Sequence, residues 1–153
     1  MKKFRYNMEN ILQVKLKLED QAKSAYSNAR LRLNIEEEKL EALKLRQASY
    51  EDELRGFRLS RLDLVKIKQS EEAIDIMKSN VKEQQIVVRN AANRLEVVRI
   101  RLSNAMVERK TQEKLKEKAW DEYLLEFDAE ERKEIDELNS YNFREPVLSE
   151  EDI

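Results

Sequence analysis

One glycine, Gly56, and one proline, Pro146, are the only residues of these two types in the 153-residue chain. Soluble domains of this size usually carry many more, at about one residue in eight for the two types together, and use them at turns. A chain with two such residues has few places to reverse direction, so the elements between them must be long. Glu, Lys, Arg, Leu, Gln and Ala dominate the composition and favour helices over strands. We therefore expect an all-α fold made of very few, long helices.

The second half of the chain contains the strongest periodic signal. One apolar row repeats every seven residues and consists of Ile74, Val81, Val88, Leu95 and Leu102. Three residues after members of that row lie Met77, Ala91, Val98 and Ala105. This spacing predicts an a/d coiled-coil seam over four heptads. The pattern turns polar at Arg109 and Gln112, and we expect the seam to resume through Leu115, Ala119, Tyr123 and Phe127.

The first half shows apolar or small residues at spacings of three and four, beginning at Phe4 and ending at Phe57. The series Leu18, Ala22, Ala25, Ala29 and Leu33 belongs to it. Its last two steps are each four residues long, which is typical of an 11-residue stutter in a heptad background. The sequence thus predicts one helix whose supercoil is locally unwound near residues 25–36.

The junction between the two periodic halves is marked by Gly56. Glycine past a helix end readily adopts the left-handed C-cap conformation, and Ser60 with Asp63 three residues later resembles a capping box. We therefore predict an antiparallel two-helix coiled-coil hairpin that is monomeric in isolation and whose second helix is the longer one. Its predicted bounds are helix one at 4–56, the turn at 56–62, helix two at 61–138, and thus a single domain over 1–138.

The C-terminal stretch 139–153 contains the proline and four acidic residues, and no basic residue follows Arg144. This composition predicts a disordered acidic tail. If the turn lies at 56–62, paired residues have numbers that sum to about 118–122. Phe4 and Tyr6 should then lie near Leu115, and helix two should extend unpaired beyond about residue 118.

Charge is distributed unevenly, although the net charge is only −2. Residues 1–18 hold five basic side chains and one acidic one, whereas residues 112–137 hold eleven acidic and five basic. Antiparallel folding would place these two stretches side by side, where they attract. The low net charge argues against a general nucleic-acid binder.

Several function classes are excluded by residues that the chain lacks. Without His or Cys there is no thiol redox chemistry and no thiolate metal site. One glycine cannot supply the phosphate-binding loop of an NTPase. Carboxylate pairs such as Glu130 and Glu131 are typical of solvated helix faces. We expect no catalytic residue, no metal and no cofactor. No apolar run of about 18 residues predicts a transmembrane segment, and no signal peptide opens the chain, so we expect a cytoplasmic protein.

Two surfaces are candidates for binding partners. At the turn, basic Arg55, Arg58 and Arg61 accompany more apolar side chains than one seam can bury. This end either closes on itself, docks on an acidic and apolar protein patch, or binds phosphate or lipid. At the other end, Phe4 and Tyr6 face the acidic aromatic stretch 119–137, with four large apolar residues exposed on the unpaired helix: Trp120, Tyr123, Leu124 and Phe127. This end either frays or receives a partner.

Three segments carry a resemblance to a known family. The opening stretch 4–12, with its aromatic pair followed by Ile11 and Leu12, resembles the N-terminal signature of the flagellar FliJ family. Residues 108–115 look like that family's basic-acidic segment in helix two, and residues 131–137 resemble its closing acidic motif. The resemblance covers about residues 4–138.

The resemblance implies a cytoplasmic component of the flagellar type III export apparatus, held at the inner face of the cell membrane through that apparatus. It would serve flagellum biogenesis, and through it motility and chemotaxis. Members are similar to the central stalk of rotary ATPases. Their terminal end engages the hexameric export ATPase, and the rest reaches the cytoplasmic domain of the export gate. Some members also bind export chaperones.

The residues that would make these contacts follow from the two candidate surfaces and from the resemblance. The ATPase-ring contact would be made by Phe4, Tyr6, Trp120, Tyr123 and Phe127. Leu43 and Tyr50 match the family's gate-contacting pair on helix one, and the arginines at the turn would add to that contact. Two alternatives from other classes are a structural coiled-coil rod and a chaperone hairpin that holds unfolded clients.

Overall fold

The computed structural model describes residues 2–60 and 63–150, with side-chain surroundings described as far as residue 142. Helix α1 spans Glu9–Leu59 with 51 residues, and helix α2 spans Leu64–Glu150 with 87. Neither of the two described ranges contains a strand. The all-α class and the longer second helix are therefore confirmed.

The chain divides into two compact units. The turn unit is Leu18–Ala105, and the terminal unit is Met1–Lys17 with Met106–Ile153. The two helices run antiparallel within each unit. In the turn unit Gln84 hydrogen-bonds to Glu36 and Arg58 pairs with Glu71 at 3.0 Å, so partner numbers fall along α2 as they rise along α1.

The same antiparallel order holds in the terminal unit. Lys116 Nζ lies 2.8 Å from a Glu9 carboxylate oxygen, and Lys15 Nζ lies 2.9 Å from one of Glu108. These pairs confirm the antiparallel hairpin.

The seam of α2 follows the predicted heptad row. Ile74 and Val81 are buried, and the other members of the row are half-buried: Val88, Leu95 and Leu102. In the terminal unit the same alternation of three and four continues through the half-buried Arg109, Gln112, Lys116, Ala119 and Tyr123. Leu115, which we expected in the seam, is exposed. The heptad spacing therefore continues without a break. Its member in this stretch is Lys116, whose long aliphatic stem packs in the seam, and not the neighbouring Leu115 that we expected.

The predicted stutter in α1 is wrong. In the turn unit, burial alternates by three and four without a break, through Glu19, Ala22, Tyr26, Ala29, Leu33, Glu36, Leu40 and Leu43. Leu18 and Ala25 are exposed, while the adjacent Glu19 and Tyr26 face the seam. The apparent stutter arose from assigning the seam to apolar neighbours of polar seam residues.

The turn begins later than we expected. Gly56 lies within α1, has no left-handed φ, and accepts a backbone hydrogen bond of 3.1 Å from the Ser60 N–H. It is thus an ordinary helical residue and does not cap the helix. Asp63 is the N-cap of α2, because its carboxylate accepts hydrogen bonds from the N–H groups of Val65 and Lys66. The predicted role of Ser60 as N-cap is therefore wrong.

The helix bounds also differ at both ends of the chain. Residues 4–8 lie outside α1, and the Glu9 N–H donates to the Tyr6 carbonyl at 3.1 Å in a turn that precedes the helix. Helix α2 continues to Glu150, beyond the predicted end at 138 and into the stretch for which we predicted disorder. Extending an existing helix orders one residue per new hydrogen bond and avoids the nucleation cost, which offsets part of the cost of placing Pro146, a residue without a backbone N–H, inside the helix.

Within residues 2–60 and 63–150, neither helix contains a stretch that is both long enough and apolar enough to cross a membrane. The same described residues contain no group of three or more His, Cys, Asp or Glu side chains arranged to hold a metal ion.

Candidate partner-binding surface of the terminal unit

Four aromatic rings meet in the terminal unit. The Phe4 ring packs edge-on against Trp120, with centroids 5.0 Å apart and planes at 80°. Phe4 also lies 5.3 Å from Tyr123, and Tyr123 stacks against Trp120 at 5.5 Å. Phe127 extends the cluster, with its centroid 6.3 Å from that of Tyr123. Edge-to-face and offset-stacked contacts of this kind are favourable arrangements for aromatic rings.

Phe4 thus lies five residues further along α2 than the expected neighbour Leu115. The helical pairs of the same unit, Glu9–Lys116 and Lys15–Glu108, have numbers that sum to 125 and 123. Phe4 and Trp120 sum to 124, so Phe4 follows the register of these helical pairs and not the sum of 118–122 that we predicted. Tyr6 lies further back, where its hydroxyl donates a long hydrogen bond of 3.4 Å to Gln112 Oε1. The structure therefore joins Phe4 with three predicted contact residues, whereas none of the described ring contacts involves Tyr6.

The N-terminal segment, residues 2–8, is attached to α2 at both of its ends. The Tyr123 hydroxyl donates a 3.0 Å hydrogen bond to the Lys2 carbonyl oxygen. Just past the other end, the Lys116 ammonium donates to Glu9 and, with Gln13, holds the pKa of that carboxyl below its usual value. The N-terminal segment thus lies along α2 next to the aromatic cluster, in which Trp120 and Phe127 stay exposed.

Opposite charges line the groove between the N-terminal segment and α2. The groove measures about 800 Å³ and contains the basic residues Lys2, Lys3 and Arg5 as well as the acidic residues Glu122, Glu126 and Glu130. The predicted attraction between the basic N-terminus and the acidic part of α2 therefore has a structural counterpart. Exposed charges attract one another only weakly, but opposite charges on the two sides of the groove together favour the segment's position on α2.

A stripe of apolar side chains on α2 stays accessible beside this cover. Trp120, Leu124 and Phe127 follow one another at helical spacings of four and three and are 42%, 39% and 40% exposed. We call these three residues the terminal stripe. Leu125 is 71% exposed but lies on a different side of the helix.

The sequence did not single out the exposed apolar residues further along α2, which are Ile135, Leu138 and Tyr141. Their spacing of three is the signal that could have identified them. Several accessible apolar side chains grouped on a charged helix are typical of a protein-binding site.

The predicted gate-contact residues do not form one surface in the turn unit. Leu43 and Tyr50 are half-buried members of the α1 seam. Arg55 pairs with Asp52 at 3.8 Å, and Arg58 pairs with Glu71. Arg61 lies outside the described residues. Only the arginines of the described set are well exposed, so Leu43 and Tyr50 can offer a partner no more than their outer edges.

A comparison with known protein families decides the affiliation of the chain. The sequence model of the flagellar FliJ protein family matches residues 4–147, which is nearly the whole chain. The chain belongs to the FliJ family. This membership makes it a component of flagellar type III protein export and confirms the resemblance seen in the sequence.

Two further comparisons add to this result. No curated protein matches the chain. Among solved structures, a chain described as the YscO homolog CT670 from Chlamydia trachomatis matches with a TM-score of 0.61 and 22% sequence identity. The match covers 90% of this FliJ-family chain and 94% of the Chlamydia chain, so the two share a fold over almost their full lengths.

Proposed function

We propose that this FliJ-family chain is a non-enzymatic coupling and assembly factor whose terminal unit binds the hexameric ATPase of the export apparatus. The observation that carries the proposal is the terminal stripe, which leaves three large apolar side chains accessible next to the aromatic cluster of the terminal unit. A few large side chains carry most of the binding energy in protein interfaces, and tryptophan, which the stripe contains as Trp120, is among the most frequent of them.

The mechanism rests on binding alone. The chain has no His or Cys, and its single glycine excludes a phosphate-binding loop, so any change in hydrolysis must arise in the partner. A ligand shifts a conformational or assembly equilibrium only as far as it binds one state better than another. Preferential binding to the assembled ring would raise ATPase activity where the ring is incompletely formed.

The proposal includes a second contact at the other unit. Export-gate binding would involve the exposed guanidinium groups of Arg55 and Arg58 and the outer edges of Leu43 and Tyr50. Arg61, which lies outside the described residues, is included because of its position in the sequence. Export chaperones would be further partners. These contacts would hold the chain at the cytoplasmic face of the membrane through the apparatus.

Isothermal titration of the purified export ATPase with the chain tests the ring contact. The double variant Leu124→Glu/Phe127→Glu places two carboxylates in the terminal stripe and should weaken binding at least about tenfold, because charges at an apolar contact must be desolvated. Leu125→Glu is the control for each single charge: it introduces one carboxylate next to Leu124, on another side of α2, and should bind like wild type.

Two results would contradict the assignment. Wild-type binding that survives the double variant would show that the stripe is not the contact. Equal losses in the double variant and in Leu125→Glu would show that added negative charge anywhere on this helix weakens the complex.

A further inference from the structure

The turn unit exposes a second apolar surface, at the point where the two helices join. Leu59, the last residue of α1, is 89% exposed, which is the highest value among the large apolar residues described. Leu64, the first residue of α2, is 76% exposed and Val65 is 65% exposed. None of the three occupies a seam position. We call Leu59, Leu64 and Val65 the turn patch.

Cations surround the turn patch, and they differ in how they are paired. Arg55 and Arg58 are engaged with Asp52 and Glu71. Lys66 and Lys68 have no carboxylate partner among the described residues, and the Lys66 ammonium lies 6.0 Å from the Phe57 ring centroid. Two unpaired lysines therefore accompany the exposed aliphatic side chains.

Asp63, the acidic residue within the stretch 55–68, does not neutralise these lysines. Asp63 is the only acidic residue in 55–68, where the sequence has five basic ones. Its carboxylate already accepts hydrogen bonds from the backbone N–H groups at the start of α2. The stretch 55–68 thus carries more basic than acidic side chains, and acidic residues lie directly before and after it, at 51–53 and 71–72.

We propose that the turn patch inserts into the surface of an anionic lipid bilayer, with Lys66 and Lys68 contacting the headgroup phosphates. Short aliphatic side chains flanked by lysines suit the boundary between acyl chains and headgroups, where the lysine stem stays apolar and its ammonium reaches the phosphate. Basic residues near an anionic surface add to the attraction.

The same residues fit a protein partner less well. Protein interfaces are enriched in aromatic residues, Met and Arg and depleted in Lys. The exposed apolar residues of the turn patch are all aliphatic, and the unpaired cations beside it are both lysines. This inference does not depend on the proposed ATPase contact, which involves the other unit.

Cosedimentation with lipid vesicles tests the proposal. The full chain is mixed with vesicles of phosphatidylglycerol and phosphatidylcholine in equal amounts, or of phosphatidylcholine alone. We expect binding to the anionic vesicles, weaker binding to the neutral ones, and a loss of binding as salt is added. Failure of the wild-type chain to sediment with anionic vesicles would overturn the proposal.

Variants assign the binding to the turn patch. Leu59→Ser/Leu64→Ser should reduce the partition coefficient about tenfold or more for each leucine, because these side chains would no longer bury apolar surface in the bilayer. Leu125→Ser, an equally apolar and highly exposed leucine in the terminal unit, is the matched control and should bind like wild type. Circular dichroism should show unchanged helix content in both, since exposed side chains contribute little to folding.

Three further outcomes would contradict the proposal. Undiminished binding of the double serine variant, or an equal loss in Leu125→Ser, would show that the turn patch is not the contact. Lys66→Gln/Lys68→Gln should lower binding to anionic vesicles and leave binding to neutral ones unchanged. If the lysine double variant bound anionic vesicles as strongly as wild type, the contact between these lysines and the headgroups would be ruled out.

Discussion

Gln84 on α2 donates a 2.6 Å hydrogen bond from its Nε2 atom to Glu36 Oε2 on α1, and the same atom lies 3.0 Å from the Glu36 carbonyl oxygen. The Glu36 side chain is buried in the seam, and its other carboxylate oxygen pairs with Arg32 at 3.1 Å and Lys39 at 3.6 Å. A polar pair at one position of an apolar seam stabilises one helix register over others, since any shift separates Gln84 from the Glu36 carboxylate.

We predict that Gln84→Leu lowers the thermal unfolding midpoint at neutral pH, because the buried Glu36 carboxylate loses its donor from α2. Gln85→Leu is the control: it introduces the same side chain at the next residue, which is exposed, and should leave the midpoint nearly unchanged.

The effect of Gln84→Leu should also depend on pH. The hydrogen bond from Gln84 lowers the pKa of Glu36 in the folded state, so its contribution to stability is present above the unfolded-state pKa and is lost as pH falls through the folded-state value. The midpoint difference between wild type and Gln84→Leu should therefore shrink below about pH 4. A difference that stays constant or grows on acidification would show that the carboxylate is not the group that matters.

Two adjacent valines provide a test of the seam in the turn unit. Val98 is 6% exposed and Val97 is 49% exposed. We predict that Val98→Asp destabilises the fold by about 3 kcal/mol or more, because a charge would be buried without a partner. Val97→Asp should change stability by no more than about 1 kcal/mol, mostly through helix propensity. Urea unfolding followed by circular dichroism measures both, and equal costs would mean that the seam is misassigned.

Gly56→Ala should stabilise the protein by about 0.5–1 kcal/mol. Gly56 is helical, has no left-handed φ, and an added Cβ would meet no atom within 4 Å. Alanine there costs less backbone entropy on folding than glycine. If Gly56 were instead a left-handed cap, as the sequence suggested, the same substitution would lower the urea midpoint.

Phe4→Ala should shift the fluorescence emission of Trp120 to longer wavelength, since Phe4 covers one side of the indole. Trp120 is the only tryptophan in the chain, so the signal reports on this contact alone. Phe127→Ala removes a ring whose described aromatic contact is to Tyr123, and it should shift the emission less. A larger shift for Phe127→Ala would mean that the N-terminal segment does not cover the indole.

The sequence predicted the fold and the α2 seam over 74–105 because apolar or small residues occupy most seam positions of that stretch. It failed on α1, where Glu19 and Glu36 are buried. Hydrophobic periodicity identifies burial only where buried residues are apolar, so a seam with polar members appears displaced by one residue. The prediction that Gly56 caps α1 was also wrong. Glycine often caps a helix, but Gly56 lies inside α1 with ordinary helical geometry.

The sequence predicted which residues belong to the candidate binding surface, but it did not predict how they are arranged. Phe4, Trp120, Tyr123 and Phe127 were all named from the sequence, and the structure brings them together. Their arrangement depends on a non-helical N-terminal segment held by tertiary contacts with α2. Sequence periodicity contains no information about such contacts, so it predicted a helix from residue 4.

The most direct test of the proposed function is the activity of the export ATPase, measured below the concentration at which its ring is fully assembled. Wild-type chain should raise the rate and steepen its dependence on ATPase concentration, because it would bind the assembled ring preferentially. Leu124→Glu/Phe127→Glu should abolish this stimulation, while Leu125→Glu should stimulate like wild type. If the wild-type chain leaves the activity unchanged, or if the double variant stimulates as well as wild type, the proposed coupling through the terminal stripe is wrong.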